Sequence, residues 1–172
     1  MKQPHSALGA TIDVLGIIEI LRNGTKDMAP PAAVEVVRIF GRNPFLILIS
    51  CILSLRTKDT VSLPASVRLF TMGTTPQQLL SLQYSVLEKI IYPVGFYRRK
   101  SAQIHELCQQ IIDRHGGQVP ATEQELCALS GVGSKTANLV LGEGFGIPAL
   151  CVDTHVHRIA NRLDLVRTKN PE

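Results

Sequence analysis

Apolar residues recur along the chain at helical rather than strand spacing, and turn residues cut the pattern into many short segments. A first amphipathic stretch begins near Thr11, carries Ile12, Leu15, Ile18 and Leu21 on one face, and ends at Asn23-Gly24. Pro30-Pro31 suits the opening of a second helix, because proline gives up no hydrogen bond in a first turn, and Gly41 to Pro44 separates it from a third. That third stretch, Phe45 to Leu55, is apolar all round, which predicts a buried central helix. Thr75-Pro76 reads as an N-cap followed by a first-turn proline, and Thr122 with Glu125 three residues on reads as a capping box. Between them Ile104, Leu107, Ile111 and Ile112 keep one helical face, which His115-Gly116-Gly117 terminates. Strand-like alternation is too short anywhere to suggest a sheet, so the fold class predicted is all-α.

Composition narrows the function classes. At 172 residues, 45% hydrophobic and 19% charged, the chain can bury a core as one domain or two small lobes, and disorder is excluded. The longest apolar run falls well short of the roughly 20 residues a bilayer crossing needs, and no secretory signal is visible, so no membrane partner is expected. Cys51, Cys108, Cys127 and Cys151 lie 57, 19 and 24 residues apart, without the short paired spacing of a metal site. Reduced core thiols in a cytoplasmic protein, with no metal in this chain, are the expectation. The net charge of +4 and pI near 9.0 permit an anionic partner without demanding one.

Two segments carry candidate chemistry. Leu-Ser-Gly-Val-Gly-Ser-Lys-Thr, from Leu129 to Thr136, predicts a helix, a two-glycine hairpin and a second helix opening at Ser134. Gly131 and Gly133 let backbone N–H groups approach an anion, and a phosphate at the second helix's start meets unpaired donors and a favourable dipole. By itself the tripeptide also serves merely to join two packed helices. A nucleotide P-loop does not fit, because only the Lys-Thr pair matches. Downstream, Phe145 to Val152 forms a Gly/Pro loop that delivers Asp153 to the start of another helix. A helix from Ser134 to Gly144 is about 16 Å long and the eight following residues reach about 26 Å, so the loop can return Asp153 to Lys135. An aspartate in that place is otherwise a plain N-cap.

Taken together, these segments and the Val-Asp-Thr-His-Val-His-Arg run from Val152 resemble the endonuclease III family, in the helix-hairpin-helix, Gly/Pro-rich loop, aspartate superfamily of DNA glycosylases. Ile52-Leu53-Ser54 through Thr57-Lys58-Asp59 resembles the family's lesion-side segment, and Pro93 to Lys100 its second hairpin-like turn; the likeness spans about residues 35 to 170. It implies a two-lobed helical fold, with residues 1–34 an N-terminal segment of the C-terminal-type lobe, 35–115 a central helical lobe, and 116–172 the helix-hairpin-helix and the catalytic aspartate helix. Lys135 matches the nucleophilic lysine and Asp153 the essential carboxylate. Gly131, Val132, Gly133, Ser134 and Thr136 would bind backbone phosphate, His155 would have a site role, and Arg56, Arg98 and Lys100, with Arg99, would face DNA.

The partner implied is double-stranded DNA with a damaged base or an abasic site, met by a monomer in the nucleoid. The activity implied is removal of oxidised pyrimidines in base excision repair, with strand cleavage through a lysine Schiff base. A glycosylase for a mismatched or deaminated base is the alternative within the family, and a non-catalytic helix-hairpin-helix module the alternative outside it. Three positions depart from the pattern. Ser130 replaces a proline, which predicts a slightly looser hairpin, and Arg56 replaces a glutamine that fills the gap left by an extruded base. The chain stops at Asn170-Pro171-Glu172, whereas the family continues to four clustered cysteines, so a [4Fe-4S] cluster is expected only if such a loop follows.

Overall fold

The computed structural model describes residues 13–171, and these are helical with no strand among them. The elements are α1 (Val14–Thr25), α2 (Ala32–Phe40), α3 (Pro44–Ser54), α4 (Asp59–Met72), α5 (Pro76–Leu80), α6 (Tyr84–Ile91), α7 (Tyr97–His115), α8 (Glu123–Cys127), α9 (Ser134–Leu139) with a π-helical continuation (Val140–Phe145), and α10 (Thr154–Arg162). They fall into two compact units, residues 30–151 and the described parts of 1–29 with 152–172.

The larger unit is built on α3. Asn43 caps it, its side-chain oxygen accepting from the N–H groups of Phe45 at 3.0 Å and Leu46 at 3.3 Å, and Pro44 occupies the first turn. Ile47, Leu48, Ile49, Ile52 and Leu53 expose no surface. Each such side chain contributes roughly 1.5–3 kcal/mol, more than any cap or turn. Helices α2, α4, α7 and α9 and the π turn pack around α3, whose apolar girth therefore has a partner on every side. Thr75 caps α5 through Gln78 N–H, and Thr122 caps α8 through Glu125 N–H, both at 3.3 Å. In the second cap the Glu125 carboxylate accepts from the Thr122 hydroxyl rather than from a backbone donor. Helix α7 buries Ile104, Leu107 and Ile111 and closes on Gly117, whose N–H donates to Ile111 O at 3.0 Å.

The smaller unit has a different character: α1 and α10 bury no residue. Leu15, Ile18 and Leu21 are exposed as an uncovered apolar face, while Thr11 and Ile12 of the same predicted stretch lie outside the described residues. Asp13 caps α1 by accepting from Gly16 N–H at 2.9 Å, and the helix runs through Gly24 to Thr25, whose hydroxyl donates to Leu21 O. Behind α10 the chain folds back, with Thr168 N–H donating to Asn161 and His157 Nε2 3.1 Å from the Thr168 carbonyl and hydroxyl oxygens.

The expectation of four core thiols needs correcting. Cys51 and Cys108 are buried, and burial pushes both pKa values up to about 12, but Cys127 is exposed and Cys151 partly so. Cys127 closes a five-residue helix at the surface, where its neighbour Leu126 takes the inward position.

Candidate nucleic-acid interface and catalytic residues

The hairpin between α8 and α9 is where the sequence places it, but it is held differently. Gly131 adopts φ +73°, and a Cβ there would collide with the Gln103 side-chain amide. That amide donates to Ser130 O at 3.3 Å, while Ser130 N–H donates to Gln110 Oε1 at 2.8 Å. Two glutamines of α7 therefore grip both polar groups of residue 130. A proline has no N–H to give, so serine at this position fastens the hairpin to α7, the reverse of the loosening expected. Val132 is buried, and its N–H is taken by Leu129 O at 3.2 Å, which makes it an internal plug and not a phosphate ligand. Thr136 is likewise buried at 7%, so its hydroxyl is no surface group. The outward face of the hairpin comes down to Gly131, Gly133 and Ser134, with Gly133 extended at φ −108° as the N-cap of α9 and free space around its Cα. The first N–H groups of α9 have no carbonyl one turn earlier in the helix to receive them.

Replacing Gly131 by alanine tests this geometry. The left-handed backbone alone costs about 1–2 kcal/mol, and the methyl group displaces Gln103. We expect a lower melting temperature together with weaker duplex binding, and unchanged values for both would contradict a hairpin gripped at this point.

Lys135 is exposed in the first turn of α9, and its carbonyl accepts from Cys151 Sγ at 3.5 Å, which ties the end of the Gly/Pro loop to that turn. Beyond Leu139 the helix expected to reach Gly144 widens into a π turn, where Gly142 and Gly144 weaken α-helical preference. Asp153 belongs to the other unit and caps α10: its Oδ1 accepts from His155 N–H and Val156 N–H, each at 2.9 Å. His155 is exposed one residue into that helix, with its Nδ1 3.3 Å from the Arg158 guanidinium.

A groove of about 380 Å³ on the larger unit is lined by Leu55, Arg56, Phe96, Arg99, Lys100, Gln103 and Gly131. It brings the hairpin glycine together with Arg56 and Arg99, both exposed, from opposite ends of the sequence motifs. Arg98 is exposed beside it and stacks over the Tyr97 ring at 5.6 Å. Lys100, expected to face DNA, does not: it is 5% exposed, and its ammonium donates to Leu53 O, Leu55 O and Thr57 Oγ1 at 2.8, 2.6 and 3.1 Å. It lies four residues before Ile104, on the inward stripe of α7, and burial lowers its pKa to about 8. Phe96 went unnoticed in the sequence. It is 62% exposed with φ +58°, and it lines the groove with the two arginines.

Iron–sulfur ligation does not fit the cysteines present. Cys51 and Cys108 are buried on different helices and Cys127 is at the surface, and among the described residues no three metal-ligating side chains converge.

Comparison with known proteins identifies the family and the fold. The family described as HhH-GPD superfamily base excision DNA repair protein matches residues 49–172. Endonuclease III of Thermotoga maritima is 46% identical over 150 residues, covering 84% of this chain and 70% of that protein. Among solved structures, a non-covalent endonuclease III–DNA complex superposes with a TM-score of 0.76 at 34% identity, over 91% of this chain and 70% of that one. A trapped endonuclease III–DNA covalent intermediate gives the same score, identity and coverage. A glycine hairpin opening onto an exposed lysine, an aspartate-capped helix and these matches lead to one conclusion: the chain belongs to the HhH-GPD superfamily of base excision DNA repair proteins, as an endonuclease III-like DNA glycosylase.

Proposed function

We propose that this chain removes oxidised pyrimidines from duplex DNA and then cleaves the strand, with Lys135 as nucleophile and Asp153 as the carboxylate that stabilises positive charge on the sugar. The observation that carries the reading is the placement of Lys135, a primary amine presented to solvent in the first turn after the glycine hairpin. Similarity to a protein trapped covalently on DNA supports it.

The chemistry follows from the residue types. The Lys135 amine attacks C1′ of the damaged nucleotide, the glycosidic bond breaks, and its electron pair leaves with the base. Loss of the amine proton and opening of the sugar ring give an iminium. That cation makes a C2′ proton acidic, and its removal expels the 3′ phosphate by β-elimination, which a water nucleophile would not permit. Asp153 stabilises the positive charge that develops on the sugar and takes part in moving the proton. Gly131, Gly133 and Ser134 offer main-chain donors to a phosphate, which anchors DNA without reading its sequence. Arg56 and Phe96 are suited to fill the space a flipped nucleotide leaves, the arginine by charge and hydrogen bonding, the ring by stacking on a base. Incubation of the chain with duplexes holding one oxidised pyrimidine, one uracil or one mismatched thymine tests the substrate class. Release from the first and not the others is expected, and release from only uracil or thymine would overturn the assignment.

Binding itself should be electrostatic. With Lys100 removed from the DNA-facing set, Arg98 and Arg99 remain, and replacing both by glutamine should shallow the plot of log affinity against log salt by about 0.9 for each phosphate no longer neutralised. An unchanged slope would place that edge off the DNA.

A further inference from the structure

Lys100 is the one buried lysine or arginine among the described residues, and its surroundings are built for it. An ammonium has three donors, and here three acceptors meet them: Leu53 O and Leu55 O at the end of α3, and Thr57 Oγ1 in the turn beyond. Carbonyls at a helix C-terminus lack intrahelical donors, and the helix dipole favours a cation there. Thr57 Oγ1 donates in turn to Leu55 O at 3.3 Å and accepts from Gly95 N–H at 3.1 Å. Lys100 also reaches the second turn through its own backbone, its N–H donating to Phe96 O at 3.0 Å. The two turns touch main chain to main chain, since a Cβ on Gly95 would lie 3.0 Å from Arg56 O and 3.1 Å from Thr57 Oγ1.

Each turn carries one residue in a left-handed conformation that is neither glycine nor asparagine: Arg56 at φ +52° and Phe96 at φ +58°. Such a backbone costs about 1–3 kcal/mol and persists only where the surroundings over-determine it. Both side chains are exposed, and both line the groove that ends at Gly131.

We propose that Lys100 is a positioning residue whose buried ammonium locks the two turns together, so that Arg56 and Phe96 enter the duplex as one rigid pair where the target nucleotide leaves. This rests on the function proposed above. Lys100 touches no DNA; it acts through the two residues it holds. Without the clamp each turn relaxes toward ordinary backbone angles, and the pair loses its shared direction. Phosphate anchoring at Gly131, Gly133 and Ser134 is untouched, because the hairpin is fastened through Ser130 to Gln103 and Gln110 and through Val132 N–H to Leu129 O instead.

The experiment uses the full chain and a duplex holding a tetrahydrofuran abasic-site analogue opposite 2-aminopurine, whose fluorescence reports unstacking of the opposed base. At saturating protein the parent should change that fluorescence, while Lys100→Met and Phe96→Ala should each lose most of the change. The double variant should lose no more than the larger single, because the two act on one event. Affinity of Lys100→Met and of Thr57→Val for undamaged duplex should stay within about twofold, which a merely structural role for Lys100 would not allow. Thr57→Val removes the shared hydroxyl with little change of shape, and it carries the same expectation if Lys100→Met does not fold. Parent-like fluorescence in Lys100→Met, or in Thr57→Val where that variant stands in, overturns the proposal. So does an additive loss in the double variant, or an equal fall in undamaged-duplex affinity. A parent that binds no duplex at all overturns the proposed function, and this inference with it.

Discussion

Asp153→Asn should lower the rate of base release by about a hundredfold or more while leaving the fold intact, because the electrostatic role proposed for this carboxylate is separable from its role as a helix cap. Its structural job is to cap α10 through Oδ1, which receives two backbone N–H groups at 2.9 Å. An asparagine Oδ1 accepts the same pair, and asparagine equals aspartate as a cap. What the substitution removes is the negative charge, worth only about 0.3–1 kcal/mol to the helix dipole. For a chain of this size that is a melting-temperature change of up to about 4 °C. In the proposed mechanism the same carboxylate also stabilises positive charge that develops on the sugar, a far larger effect than its share of the helix dipole. Single-turnover base release and a melting curve measured on the same preparation separate the two jobs. A large fall in melting temperature that accounts for the lost activity would make Asp153 a cap alone.

Lys135→Ala should abolish strand cleavage at an abasic site, a fall of about a thousandfold or more, with duplex affinity held within a few-fold. The lysine side chain is exposed, so truncation removes little packing, and alanine is the better helix former. The DNA anchoring proposed for the hairpin uses main-chain donors that the substitution leaves in place. Loss of cleavage with retained binding therefore isolates the amine as the missing reagent. Cleavage at the parent's rate would mean that another amine does the chemistry, and a parallel collapse of binding would make Lys135 an anchor.

How far the sequence disclosed this architecture depended on the range of the interaction. Local signals were legible: Thr75, Thr122 and Asp153 cap the helices their spacing announces, and the unbroken apolar run of α3 is buried as its composition demands. Helix α4 was illegible, because Pro64 stands inside it and its inward positions include Ser62 and Ser66, the second of which satisfies its hydroxyl on the Ser62 carbonyl. In the candidate site, the turn at Gly131 and the cap at Asp153 are local signals, whereas Lys135 and Asp153 are singled out as a catalytic pair by the resemblance to the endonuclease III family and not by spacing. Lys100 was hidden in a run of three basic residues, although its offset of four from Ile104 places it on the buried stripe of α7. No local pattern could show that Gln103 and Gln110 grip Ser130 across 27 and 20 residues, or that Thr57 reaches Gly95 across 38 and helps fix Phe96 in the groove. Those ties set the outward-facing residues, which is why Phe96 was missed and Val132 and Thr136 were placed on the wrong side of the surface.

The most direct measurement is borohydride reduction of the chain with duplex DNA carrying an abasic site, followed by proteolysis and mass mapping of the cross-linked peptide. Reduction converts the iminium into a stable amine bond, so the adduct marks the nitrogen that attacked. The predicted result is one adduct, on Lys135, dependent on borohydride and lost in Lys135→Ala. An adduct on any other amine, or none from a chain that binds the duplex, would contradict the assignment of Lys135 as the nucleophile.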